Sequence, residues 1–263
     1  MLILVFLYDK IVGMRLDLAL IQRGLYSTRA RAVAAIKAGL VSINGVAAKK
    51  PSQDVVDADV LTGGALPYSS GRGSLKLERA LEYFKINPEN MVCLDVGAST
   101  GGFTEVLINH GAARVYAVDV GTNQLIPELR ESPRVVSLEQ TDIRALPVQS
   151  VVDLIVIDVS FISLTNIVEC LRPWGAKTIV ALIKPQFECG REAIGKGGII
   201  KKPEYRLHAI RRVFACAREN GIYPQALMRS PIVGGDGNIE FLSCFSRCVT
   251  ESDEKLLSMV NIY

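Results

Sequence analysis

Five short apolar runs in this chain each end on residues that can do chemistry. Val92–Val96 runs into Gly97-Ala98-Ser99-Thr100-Gly101-Gly102-Phe103, a glycine-rich turn entered through Asp95. Arg114–Val118 stops at Asp119, and Val135–Leu138 is followed by Thr141-Asp142-Ile143. Leu154–Ile157 ends in Asp158-Val159-Ser160-Phe161, and Thr178–Ile183 ends in Lys184-Pro185-Gln186-Phe187-Glu188.

A glycine turn at the carboxyl end of a strand lets the backbone approach a ligand and lets the next helix start close by. Alone it is a weak sign of a nucleotide-like ligand, because ordinary turns also use glycine. Asp119 adds an acid placed to meet both hydroxyls of a ribose. Asp142 adds one that can meet an adenine amino group. The Gly-x-Gly-x-x-Gly spacing of a dinucleotide site is missing, so the ordered strand ends favour S-adenosyl-L-methionine over NAD. The expected cofactor contacts are Asp95, Gly97, Ser99, Thr100, Gly101, Gly102, Phe103, Asp119 and Asp142.

Asp158 and Lys184 leave two readings open. A lysine directly after a buried strand is costly unless it is paired or solvated. The plain reading is an Asp158–Lys184 salt bridge. The chemical reading is a lysine whose surroundings let it accept a proton. Composition does not choose between them.

The elements that must position these residues follow from the apolar pattern. Continuous runs such as Leu154-Ile155-Val156-Ile157 suit parallel strands covered on both faces. Helices are expected around residues 103–110, 122–130, 164–172 and 203–220, the last with Pro203 in its first turn. Gln225–Met228 and Ile239–Phe245 supply two further strands, and Ser74 opens a helix carrying Lys76, Leu77, Ala80, Leu81 and Phe84. The fold class is therefore α/β, a doubly wound Rossmann-like sheet of seven strands over residues 74–249. Residues 250–263 read as a tail.

A small α+β domain is expected over residues 14–61. Leu16, Ala19, Leu20 and Arg23 keep helical spacing up to Gly24. Ser27 can cap a second helix through about Ala38. Val41–Ile43 and Val46 flank an Asn44-Gly45 tight turn. The glycine- and serine-rich residues 62–73 read as a linker. Residues 1–13 begin apolar but are too short to span a membrane and lack the marks of a signal peptide. They are expected to be an extension, with translation starting at Met14.

Net charge is only +3 across 263 residues. The basic excess sits near the start, where between Met14 and Lys50 Arg15, Arg23, Arg29, Arg31, Lys37, Lys49 and Lys50 face a single acid, Asp17. A polyanion partner and a solvated helix face both account for that. The six cysteines form no Cys-x-x-Cys pair and suit a reducing cytoplasm. The two histidines lie far apart, so no metal site is expected.

Longer motifs then occur in order from about Met14 to Phe245. They are Arg15-Leu16-Asp17, Val41–Gly45, Arg72-Gly73 with Lys76, Asp95–Phe103, and Asp119-Val120-Gly121-Thr122-Asn123-Gln124-Leu125. Asp158-Val159-Ser160-Phe161-Ile162-Ser163-Leu164, Lys184–Glu188, Gly195-Lys196-Gly197-Gly198, Arg229-Ser230-Pro231 and Gly237-Asn238-Ile239-Glu240 complete the set. The chain closely resembles the TlyA family, historically labelled haemolysins. That family pairs an S-four-type RNA-binding domain with an FtsJ-like ribose methyltransferase.

The resemblance implies a catalytic tetrad of Lys76, Asp158, Lys184 and Glu240. It implies transfer of a methyl group to a ribose 2′-hydroxyl of ribosomal RNA, at a cytidine and in the large subunit. It implies ribosomal RNA or a ribosomal subunit as partner; the basic residues make Arg15, Arg29, Arg31, Lys37 and Arg72 the expected RNA contacts, and no membrane or metal is expected. Two other readings stand beside it: a membrane-active haemolysin, and a non-catalytic ribosome-assembly factor. Phe103 and Phe161 read as packing residues. Arg191, Lys196, Lys201 and Lys202 lie in a glycine-containing loop that covers substrate phosphates or is simply solvated.

Overall fold

The computed structural model describes residues 13–26, 29–37, 39–64, 71–249 and 252–262, without the side chains of residues 30, 31, 34 and 37. The expected extension, apart from Gly13, and the Ser27 cap lie outside the described residues. The chain divides into two compact units, Met1–Gly71 and Arg72–Tyr263.

The first unit runs β1 (Met14–Arg15), α1 (Leu16–Gln22), α2 (Arg29–Lys37), β2 (Val41–Ile43), β3 (Val46–Ala47), β4 (Asp54–Val55) and β5 (Leu61–Gly63). Asn44 and Gly45 both have positive φ, 50° and 81°, as a two-residue hairpin turn requires. Leu16, Leu20, Ala32, Ile36 and Val41 are almost wholly buried and form its core. Thr62 and Gly63 belong to β5 and not to a linker: they pair with Ser42 and Val41. The reason is the free edge of β2, whose N–H and C=O groups need partners. The β1–β4 pair spans two residues on each side, too few to leave a period in the sequence.

The second unit begins with α3 (Gly73–Phe84), β6 (Val92–Val96), α4 (Gly102–Asn109), β7 (Arg114–Val118), α5 (Pro127–Arg130), β8 (Val135–Leu138) and β9 (Leu154–Ile157). It continues with α6 (Val168–Leu171), β10 (Thr178–Ile183), α7 (Pro185–Glu188), α8 (Pro203–Glu219), β11 (Tyr223–Arg229), β12 (Phe241–Ser246) and α9 (Asp253–Ser258). One seven-stranded sheet has the order β11-β12-β10-β9-β6-β7-β8. Its neighbouring pairs from β10 through β8 are parallel, whereas β12 is antiparallel to both β10 and β11. The fully buried Leu94, Ile155, Phe214 and Phe241 lie in its core.

Three expectations need correction. Helix over 122–130 shrinks to α5, because the Glu139 carboxylate accepts the N–H groups of Asn123, Gln124 and Leu125 at 2.8, 2.8 and 3.0 Å. That holds the segment as a loop until Pro127 starts the helix. Helix over 164–172 breaks into 3-10 turns around α6, with Pro173 in the second turn. The expected tail contains α9, whose Leu256 and Leu257 join the sheet core.

Candidate active site

The strand order reverses between β6 and β9, the place where open parallel sheets bind ligands beyond their carboxyl ends. A cleft of about 660 Å³ opens there, lined by Gly97, Ser99, Asp119, Asp142, Asp158 and Ile162 among others. Gly97 has φ 85°, and its N–H and that of Ala98 both bond to the Val118 carbonyl, at 2.8 and 3.1 Å. A Cβ on Gly97 would lie 2.6 Å from the Asp158 carbonyl oxygen, so only glycine lets the turn close against the end of β9. Asp119 is held by two backbone donors, Ser99 N–H at 2.8 Å and Gly121 N–H at 2.7 Å. Both carboxylate oxygens keep lone pairs for a ligand.

Not every residue expected at the cofactor faces the cleft. Asp95 is fully buried beneath the turn, where one oxygen accepts from Thr104 Oγ1 at 2.6 Å and the other has no partner. Burial pushes its carboxyl up to about 7, with the Thr104 hydroxyl pulling the other way. Gly101, at φ 102°, makes room for the Leu125 and Leu129 side chains, and Gly102 packs against the start of α3, where a Cβ would lie 3.1 Å from Ser74 N. Phe103 is buried, in keeping with its reading as a packing residue. Thr100 is exposed, and its carbonyl accepts the Ile126 N–H at 3.3 Å. These five residues are absent from the cleft lining. Asp142 does line it, but Arg144 grips its carboxylate through Nε at 3.0 and 3.1 Å and Nη2 at 2.6 Å. That guanidinium holds the Asp142 carboxyl below its usual range.

Four charged side chains from four elements meet at the edge of this cleft. Lys76, on the buried face of α3, donates to Glu240 Oε2 at 2.7 Å and lies 3.9 Å from Asp158 Oδ2. Lys184 follows β10 and donates to Asp158 Oδ1 at 2.7 Å. The order is therefore acid, base, acid, base: Glu240, Lys76, Asp158, Lys184. Three of these side chains are at most 10% exposed, and Asp158 is 19% exposed, so the cluster opens on the Asp158 side, where that residue lines the cleft. The Asp158–Lys184 salt bridge exists, as one link of a longer chain of charges.

Sequence reasoning missed two neighbours. Ser160 Oγ accepts from Lys184 Nζ at 2.8 Å, giving that amine a second fixed partner. Phe161, read as a packing residue, is 91% exposed, has φ 65° and lines the cleft. Its ring centroid lies 5.3 Å from that of Phe187. Both stand in motifs already singled out, but residue type alone does not tell a buried phenylalanine from a displayed one.

Arg72 also differs from expectation. Its Nη2 donates to the Val233 carbonyl at 3.0 Å, tying the entry to α3 to the segment before Glu240. The same segment passes close over the acid, since a Cβ on Gly234 would collide with Glu240 Oε1. In the first unit the buried Asp17 carboxylate accepts from Arg15 at 3.0 and 2.9 Å and from Arg29 at 2.9 Å. These bonds, Arg15 first, hold the Asp17 carboxyl down to about 2. Both arginine side chains stay exposed, at 42% and 58%. The side chains of Arg31 and Lys37 lie outside the described residues.

A family model for FtsJ-like methyltransferases matches residues 69–247, and one for the S4 domain matches residues 14–61. The chain is 43% identical over 235 residues to a Mycobacterium tuberculosis protein named 16S/23S rRNA (cytidine-2'-O)-methyltransferase TlyA, covering 86% of this chain and 87% of the relative. The chain belongs to the TlyA family. A Campylobacter jejuni TlyA, named as a 23S rRNA (cytidine-2'-O)-methyltransferase, is 36% identical over 201 residues, 73% of this chain and 79% of its own length. A solved Streptococcus thermophilus protein described as a hemolysin is 39% identical, covers 95% of this chain and 96% of its own, and superposes with a TM-score of 0.71. As a TlyA-family member the chain is an FtsJ-like methyltransferase with S-adenosyl-L-methionine as cofactor. The cleft fits that group. Asp119 offers carboxylate acceptors, Gly97 clears the backbone, and Val118, Val120 and Ile143 give an apolar wall.

Proposed function

We propose that this enzyme methylates the 2′-hydroxyl of a cytidine ribose in large-subunit ribosomal RNA, in the cytoplasm. The observation that carries the reading is the chain Glu240–Lys76–Asp158–Lys184 at the edge of the cofactor cleft. In this reading residues 14–63 dock on RNA, residues 64–72 link, and residues 73–249 carry out the chemistry. The cytidine and the large subunit rest on what the two TlyA relatives are named for.

Asp119 would hold the ribose of S-adenosyl-L-methionine, with Gly97 and Ser99 against the remainder and Asp142, already paired with Arg144, near the adenine. The bound group supplies an electrophilic methyl. Lys184, neutral at the moment of reaction, takes the proton of the RNA 2′-hydroxyl, and general-base assistance of this kind is worth about 10²–10⁴-fold. Asp158, 2.7 Å away, stabilises the ammonium as it forms, and Ser160 fixes the direction of the amine. Lys76 and Glu240 hold Asp158 in place from the other side. Orienting the hydroxyl toward the methyl supplies much of the remaining rate.

The test is transfer of tritiated methyl to purified large and small ribosomal subunits, followed by mapping of ribose methylation. Lys184→Ala should lower single-turnover transfer by orders of magnitude while S-adenosyl-L-methionine still binds. Near-normal turnover would remove Lys184 from the mechanism. Methyl transfer to a base nitrogen or to protein would overturn the ribose reading. The hemolysin description of the Streptococcus structure favours a second, membrane-active reading. No helix among the described residues is long and apolar enough to cross a membrane. Leakage of liposomes by the purified chain would favour that reading, and its absence would favour the methyltransferase.

A further inference from the structure

The segment from Gly190 to Lys202 carries Arg191, Lys196, Lys201 and Lys202, all exposed. None of the four forms an ion pair among the described residues, although Lys202 Nζ lies 5.7 Å over the Tyr205 ring, whereas Arg15, Arg29 and Arg72 have guanidinium groups already engaged in hydrogen bonds or ion pairs. Exposed acids in the segment and just beyond it are limited to Glu192 and Glu204. A set of unpaired cations in a loop is usually only solvated. Here the backbone of the loop is fixed from beneath by two buried polar side chains.

Asn238 is 0% exposed and gives both ends of its amide to this loop. Its Nδ2 donates to the Gly198 carbonyl at 2.9 Å, and its Oδ1 accepts the Ile200 N–H at 2.8 Å. From the other side the buried Arg206 Nη2 donates to the carbonyls of Ile200 and Lys201, at 3.1 and 3.0 Å. Gly197 and Gly198 take φ values of 77° and 78°, two successive left-handed residues that glycine adopts without penalty. The loop closes on itself through Gly195 N–H to Ile199 O at 3.1 Å. A merely solvated loop has no need of two buried side chains to hold its backbone.

Two tetrad-bearing segments adjoin this loop. It begins six residues after Lys184, beyond α7, and hangs from Asn238 two residues before Glu240. We infer that the Gly190–Lys202 loop is a preset cationic arm that binds RNA phosphates flanking the reacting ribose, and that Asn238 is the positioning residue that sets it. The inference rests on the RNA-methylating reading given above. Cations carried on a backbone that is already set meet RNA phosphates without the entropic cost of ordering a free loop at each encounter.

The experiment compares the full chain with the triple variant Lys196→Ala, Lys201→Ala, Lys202→Ala, with Asn238→Ala, and with all four changes combined, on ribosomal subunits. The triple variant should raise KM for the subunit about tenfold or more, leaving kcat and S-adenosyl-L-methionine affinity unchanged. Its log KM against log salt should be shallower by about 2, since each lost phosphate contact removes about 0.7–0.9 from the slope. Asn238→Ala should raise KM in the same way and add little on top of the triple variant, because both act through one loop. Unchanged KM and salt slope in the triple variant would overturn the inference while leaving ribose methylation intact, and fully additive effects would remove Asn238 from it. A wild-type chain that methylates no ribose would overturn the enzymatic reading and this one together.

Discussion

The buried Asp95 should make the protein lose stability as pH rises through neutrality. Its carboxyl is hydrogen-bonded by Thr104 and has one oxygen without a partner, and burial raises its pKa from 3.8 to about 7, with the charges of Asp158 and Asp119 adding to the effect. An acid whose folded pKa exceeds its unfolded one binds protons more tightly when folded. Its favourable contribution is complete below the unfolded pKa and is lost as pH rises through the folded value. Each pH unit in that window is worth about 1.4 kcal/mol, so the loss between pH 4 and 7 is at most about 4 kcal/mol, and between pH 5 and 8 about 3 kcal/mol. Asp95→Asn removes the titration and keeps the shape. Its amide leaves N–H groups at the unpartnered position, at a cost of about 1–3 kcal/mol that is the same at every pH. Urea unfolding of both proteins at pH 5 and pH 8 isolates the effect, because the other titrating groups, Glu188 included, are shared. The wild type should lose about 3 kcal/mol more than Asp95→Asn on going to pH 8. Parallel losses would show that the carboxyl is ionised in the folded protein across that range, and the account of Asp95 would fall.

Gly97→Ala combines a left-handed backbone with overlap on the Asp158 carbonyl, so it should cost about 2–4 kcal/mol by thermal unfolding and should weaken methyl transfer beyond that loss, because Asp158 is displaced. Full activity in a folded Gly97→Ala protein would refute the tight packing of turn and tetrad. Asp17→Ala removes the common acceptor of Arg15 and Arg29 and should destabilise the protein by about 1–3 kcal/mol, the arginines remaining solvated. The Asp17 pKa is depressed, so that stabilisation is present above pH 4 and fades as pH falls toward 2. Denaturant melts at pH 7 and pH 2.5 check both statements, and an equal deficit at the two pH values would contradict them.

The strands around the site were legible because all but the edge strand β8 are almost wholly buried. Val92–Val96, Arg114–Val118, Val135–Leu138, Leu154–Ile157 and Thr178–Ile183 form over the same residues that the apolar runs delimit. What the sequence hid depends on single long-range hydrogen bonds. Residues 123–125 look helical until Glu139 captures their N–H groups. Arg72 looks like a free cation until Val233 supplies a carbonyl. Asp95 and Asp119 are both acids at strand ends, but Asp119 lies just past β7 and faces the cleft. Asp95 sits one residue inside β6 and, by the alternation of a strand, points to the opposite side from its neighbours, under α4. Counting the offset from the strand end is the signal that would have separated them.

The meeting of the four charged residues follows from one reversed strand. Lys184 lies at the carboxyl end of β10, and Asp158 at the same end of the parallel β9, so these two approach in any doubly wound sheet. Glu240 lies before its strand, and in a parallel neighbour it would fall at the opposite edge of the sheet. Because β12 runs antiparallel to β10, with Phe241 opposite Ile183, the start of β12 comes to the end of β10 and Glu240 falls next in register to Lys184. Lys76 then bridges Glu240 and Asp158 from the helix that packs over this edge. A strand inserted between β10 and β11 in the reverse direction therefore brings a fourth charged group to a site that the parallel strands alone furnish with two.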